Sequence, residues 1–360
     1  MRALFVGVRE GVRSDWPIIT MMGVIGALLG AMLALHGVNP LRVRSCKENL
    51  LLYAVVFSPM LIARGACALF RARPQSPIRF LLDHCACRES AEWFGKGLPM
   101  LLAMTLWMPL FSAAKSAISL FHQYNWDGVL GQADRAIFGV DAWRVLQPVV
   151  GFPLVTSVLS FAYHAWIVLI YAGGAYFCFF ERNRELRAQY FIARFLIWSV
   201  LGLGLATAFA SVGPCFVGPL LGDHRYDELM GYLQRANEHY RVMVLPVQAD
   251  LAAAYLQHQP GLGDGISAMP SMHVGMTLLS ALAAWRTSRI AGTLLYIFLI
   301  IIALGSVHFG YHYAVDGLVS AVGTLALWAI AGWAARQFVP SPEFSAEESG
   351  STVKPTAALA

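Results

Sequence analysis

A histidine and an aspartate four residues apart stand near the end of the last long apolar region of this 360-residue chain, in Ser306-Val-His308-Phe-Gly-Tyr311-His312-Tyr-Ala-Val-Asp316. On a helix that spacing stacks the two side chains and lets a carboxylate reach an imidazole. An imidazole held on one nitrogen is fixed in tautomer and orientation, so His312 is a candidate nucleophile and Asp316 its orienter. Cleaving a phosphate ester then needs a second group to protonate the departing alkoxide. His273, in Ser267-Ala-Met-Pro-Ser271-Met-His273-Val-Gly at the start of another apolar run, is the candidate general acid. Pro270 suits the first turn of a helix there, which would place Ser271 and His273 near an N-terminus whose backbone N–H groups favour an anion.

The rest of the chain must carry these groups in a bilayer. Hydrophobic residues make up 58% of the sequence and charged residues only 13%, a balance that excludes an ordinary soluble domain. The net charge of +5 comes from Arg in short clusters between apolar runs, the pattern that orients membrane proteins, so nucleic-acid binding is excluded. Apolar stretches at 17–38, 50–70, 97–118, 152–180, 191–212, 268–285, 290–307 and 312–335 predict an all-α polytopic bundle of about eight transmembrane helices. The first is read as a retained helix, since its apolar run is longer than that of a usual signal peptide. From Arg289 to Arg336 a single helix would be about 70 Å long, twice what a bilayer needs, so the chain must turn between Gly305 and His312. His308 is then expected to end one helix and His312 to begin the next.

In this eight-helix scheme Arg2, Arg9, Arg13, Arg71, Arg73, Arg79, Arg88, Arg182, Arg184, Arg187, Arg286, Arg289 and Arg336 share one side, expected to be cytoplasmic; Arg42, Arg44 and Lys47 fall opposite. His273, His308, His312 and Asp316 gather at the other surface, the periplasmic or extracytoplasmic one. Segment 119–150, with Asp127, Asp134 and Asp141, reads as one or two interfacial helices that pack and anchor. Segment 213–267 is too long for a simple connector. The end of the chain after Arg336 is rich in Ser, Gly and Pro and is expected to be disordered. Asp83-His84-Cys85-Ala86-Cys87 has metal-ligand residue types but no second cluster, and is read as a reduced surface loop.

Met-Pro-Ser271-Met-His273 resembles the Pro-Ser-(Gly/Met)-His motif of the type-2 phosphatidic acid phosphatase superfamily, and Gly310-Tyr-His312-Tyr-Ala-Val-Asp316 resembles its Gly-x-His-x-x-x-Asp motif. The resemblance implies a six-helix membrane core over residues 97–336, preceded by two additional helices within 1–96 and followed by a tail at 337–360. It also implies a phosphohistidine on His312, support from Asp316, leaving-group assistance by His273, no cofactor and no metal, and a lipid phosphate or phospholipid as substrate. Met272 and the His312-Tyr313 dipeptide are more similar to the branch of inositolphosphotransferases and inositol phosphorylceramide synthases.

Ser306 stands six residues before His312, where lipid phosphatases of this superfamily usually carry Arg, and the upstream Lys-x6-Arg-Pro motif is absent. The phosphate must therefore find other partners. Candidates are His308, Tyr311 and Ser271 near the two motifs, Arg225, Arg235 and Arg241 from the outer loop, and His164 within the fourth span. Two rival readings remain: a metal site on His308, His312 and Asp316, which the expected turn opposes, and a transporter using the His/Asp cluster as a proton relay.

Overall fold

Why the chain is helical is plain from its composition: in hydrocarbon every backbone N–H and C=O must be satisfied within the protein, and only helices do so within each segment. The computed structural model describes residues 1–41, 43–257 and 265–338, and these form helices and connecting turns throughout. The disordered tail expected after Arg336, apart from the two residues that finish the last helix, lies outside the described residues, as does most of Gly261–Gly265. In chain order the principal helices are α1 (Arg2–Leu35), α2 (Val43–Ala72), α3 (Pro77–Ala86), α4 (Arg88–Ser116), α5 (Asp127–Phe138), α6 (Ala142–Val150) and α7 (Pro153–Phe179). There follow α8 (Arg184–Ala208), α9 (Asp227–His239), α10 (Val244–Leu256), α11 (Met272–Thr287), α12 (Arg289–His308) and α13 (Ala314–Phe338).

Seven of these, α1, α2, α4, α7, α8, α12 and α13, are long and apolar enough to cross a membrane. The chain is a polytopic helical bundle. The eighth expected span, α11, has only 16 residues, about 24 Å at 1.5 Å per residue, less than a bilayer core. It is buried along most of its length, so neighbouring helices rather than lipid surround it.

Local signals end the helices where the chain must turn. Asn183 caps α8 by accepting from Leu186 N at 3.0 Å, and Ser271 and Ser288 cap α11 and α12 through their hydroxyls. Pro270 precedes the α11 cap instead of occupying the first turn, a shift of two residues from the sequence expectation. The Asp83–Cys87 stretch is not a loop. It closes α3, and Cys87 caps α4 with its sulfur accepting from Ser90 N at 3.4 Å.

The first helix extends well before its apolar run because its polar turn has a tertiary partner. α1 and α4 run parallel and so close that a Cβ at Gly7 or Gly11 would collide with the backbone of Glu92 or Lys96. One turn on, the buried Asp15 receives both Nη atoms of Arg187 from α8, with the Nη2–Oδ2 distance 2.9 Å, while Arg187 Nε donates to Phe177 O at 2.8 Å. This ion pair fastens the N-terminal helices to the rest of the bundle. Replacing Asp15 by Ala strands a buried guanidinium and should cost about 3–5 kcal/mol in detergent unfolding, whereas the double change Asp15→Leu, Arg187→Met should recover most of that loss.

Candidate active site

The helices alternate in direction, so the end of α4, the start of α7, the end of α8, the start of α11 and the α12–α13 turn meet at one end of the bundle. That turn holds the pair His312 and Asp316, but His312 does not begin a helix as expected. α12 ends at His308, Gly310 takes a left-handed φ of 71°, and α13 begins only at Ala314. The pair survives because the turn is held from several directions. His312 N donates to Ser306 O at 3.1 Å, and Asp316, in the first turn of α13, accepts from Tyr313 N at 2.8 Å.

Two carboxylates of α5 complete the hold. Asp134 accepts from Ala314 N and Val315 N, at 2.9 and 3.0 Å, capping α13 from another part of the chain. Asp127 accepts from Tyr313 Oη at 2.9 Å and from the backbone of Val212 and Gly213, both at 2.9 Å. Gly213, at φ 92°, lies against Tyr311 O where a Cβ would collide, and Cys215 N donates to Gly310 O at 2.7 Å. Burial pushes the Asp127 and Asp134 carboxyls above their ordinary range, opposed by the backbone N–H groups that favour the charged forms. Segment 119–150 therefore serves the site by fixing its turn, and Phe216, Leu251 and Ile266 from segment 213–267 line the space beside it.

Within this frame the two imidazoles meet. His312 Nε2 lies 3.4 Å from His273 Nδ1. His312 Nδ1 donates to Ala268 O at 2.7 Å and stands 3.6 Å from Asp316 Oδ2. A carbonyl only accepts, so this contact puts the proton on Nδ1 and leaves a lone pair on Nε2, facing His273. The main orienting hydrogen bond thus comes from the backbone that carries the first motif, with the Asp316 carboxylate alongside. Asp316 Oδ1 is buried without a hydrogen-bond partner among the described residues. The His273 ring lies between Tyr163, 4.4 Å away, and Trp166, 4.2 Å away, both from α7.

A cavity of about 220 Å³ opens beside this pair, lined by His273, His312, Tyr311, Lys115, Trp166 and Trp198 among mostly apolar groups. Lys115, at the end of α4, has no ion-pair partner among the described residues, and its charge acts on His273. No motif or spacing in the sequence marks it. The available signal was position, because it falls on the side opposite most of the Arg clusters.

The remaining candidates divide. Tyr311 lines the cavity and stacks on Tyr163 at 5.5 Å. His164 follows Tyr163 and its Nδ1 donates to Ser160 O at 2.9 Å. Ser271 is fully buried, its hydroxyl capping α11 and its carbonyl accepting from Ser320 Oγ at 2.6 Å. His308 is buried and bonded to Thr156 Oγ1 at 2.9 Å, away from the cavity lining. Arg225 sits by Asp223 at 3.7 Å, while Arg235 and Arg241 are exposed; none of the three lines the cavity. Ser306, in place of an Arg, has its hydroxyl 3.4 Å from Tyr163 Oη.

A family model described as PAP2 superfamily matches residues 128–330, more than half of the chain. The chain belongs to the PAP2 superfamily. This superfamily match runs from α5 through most of α13, so it includes both histidine motifs and Asp134 and begins one residue after Asp127, and it implies a phosphatase-type enzyme acting on lipid phosphates in a membrane. Neither a curated protein nor a solved structure matches the chain. Lys115 lies outside the matched stretch.

Asp134→Ala should remove two buried acceptors from the first turn of α13 and lower unfolding stability by about 1–3 kcal/mol, with Asp134→Asn, which keeps one acceptor oxygen, losing less. Limited proteolysis of the α12–α13 turn would check that the loss is local.

Proposed function

We propose that this protein is a lipid-phosphate phosphotransferase or phosphatase that works through a phosphohistidine on His312. The observation that carries the reading is the Nε2 lone pair of His312, facing only His273 Nδ1 at 3.4 Å among the described residues, beside a cavity lined by a Lys that has no ion-pair partner among them. Substrate phosphorus reaches His312 Nε2 from the adjoining cavity and displaces the contact with His273. His312 Nε2 attacks it, the phosphorus–nitrogen bond forms as the ester phosphorus–oxygen bond breaks, and His273 gives its proton to the departing alkoxide. In the second half His273 takes a proton from the acceptor hydroxyl, whose oxygen attacks phosphorus and releases His312.

Lys115 holds the non-bridging oxygens in this reading, supplying the cation that Ser306 cannot. Tyr163 and Trp166 keep His273 in place, and the apolar cavity wall receives the lipid chain. Water as acceptor gives a hydrolase; a lipid or polyol hydroxyl gives a transferase. Met272 and His312-Tyr313 support the second, in the branch resembling inositol phosphorylceramide synthases. The Arg-rich opposite end supports an active site on the extracytoplasmic side.

Purified protein should release or transfer phosphate from a lipid phosphate monoester in the presence of EDTA. His312→Ala and His273→Ala should each lose nearly all turnover. Lys115→Ala should lower kcat/KM by about 10²-fold, the scale of one charge-stabilising contact, and Lys115→Arg should restore part of it. A Lys115→Ala enzyme with unchanged kinetics would remove Lys115 from the site, and a chelator-sensitive activity restored by zinc would replace the phosphohistidine route by a metal one.

A further inference from the structure

At the other end of the bundle lies a second and larger hollow, of about 1120 Å³, between α1, α2, the start of α4, the end of α7 and the start of α8. We propose that it binds the headgroup of an anionic phospholipid. Four of its guanidinium groups, those of Arg13, Arg71, Arg182 and Arg184, come from three separate stretches of chain and have no ion-pair partner among the described residues. The acidic groups at this hollow are already engaged. Asp15 is neutralised by Arg187, and Glu181 accepts from Asn183 N at 2.7 Å and from Thr287 Oγ1 at 3.2 Å.

Orientation alone accounts for Arg residues at this surface of the membrane, but not for their convergence on one hollow. Arg forks match phosphate oxygens bidentately, and basic pockets between membrane helices on the cytoplasmic side suit anionic headgroups. A lipid, not a free anion, is selected by the walls. On α2 the residues Met60, Ala63 and Cys67 follow helical spacing toward Arg71, giving an apolar stripe that ends at a cation. Phe179 and Phe180 face the same space from the end of α7. α2 also buries little of itself against protein, only 11% of its most apolar window, so a lipid seated here would fill the contact that α2 otherwise lacks.

Native mass spectrometry of the detergent-purified full chain, titrated with phosphatidylglycerol or cardiolipin and separately with phosphatidylcholine, tests this. The wild type should retain the anionic lipids at least tenfold better than phosphatidylcholine. Arg13→Gln, Arg71→Gln, Arg182→Gln and Arg184→Gln together should abolish that preference while leaving lipid-phosphate turnover and the detergent melting temperature unchanged. Should the fourfold variant not fold, the two pairs Arg13/Arg71 and Arg182/Arg184 are each expected to reduce the preference at least threefold. Equal retention of anionic and zwitterionic lipids by the wild type, or an undiminished preference in the folded variants, would overturn the proposal. So would displacement of the anionic lipid by millimolar inorganic pyrophosphate with pyrophosphate itself retained, since that outcome marks a site for free anions.

Discussion

Two carboxylates on one face of a short helix hold the turn on which the site depends. Asp127 and Asp134 lie seven residues apart on α5, two helical turns, so both point into the protein with Leu130 and Gly131 between them. Asp134 supplies the acceptors that the first backbone N–H groups of α13 lack, and Asp127 joins the Gly213 turn to Tyr313. Without that hold, His312 stands in a non-helical turn between two membrane helices, in a place where unsatisfied backbone groups are costly. The geometry of the candidate site is thus built from outside the two histidine motifs.

From this constraint the division of labour follows. The backbone of one motif orients the histidine of the other: Ala268 O fixes the His312 tautomer, while Ser271 N and the Ser271 carbonyl bond to Asp316 O and Ser320 Oγ of α13. Apolar helices α4 and α7 then bring Lys115, Tyr163 and Trp166 to the same level. Each of these contacts spans many residues of sequence, which explains why rigid packing of the bundle, not local propensity, sets the 3.4 Å approach of the two rings.

The helices and the two motifs were legible in the sequence because each rests on a local pattern: an apolar run of bilayer length, or residues at fixed spacing. The forced turn at Gly305–His312 was legible for the same reason, since one helix would be too long. What the sequence did not reveal rests on long-range partners. Lys115 carries no local signature of facing two histidines. Asp15 carries no local sign of Arg187, its partner across the bundle. The placing of His312 inside a helix failed because a four-residue spacing suits a helix but does not require one; here Gly310 and an external cap start α13 two residues later. His308, equally close to the motif in sequence, turns to Thr156 instead.

The account turns on a covalent bond between phosphorus and His312. The most direct test is to mix the enzyme with a lipid phosphate carrying labelled phosphorus, quench in alkali during turnover, and locate protein-bound label by peptide mass spectrometry. A phosphoramidate on His312, stable to alkali, lost in acid and absent from His312→Ala, is the predicted result. Full turnover with no labelled histidine, or label on another residue, would contradict it.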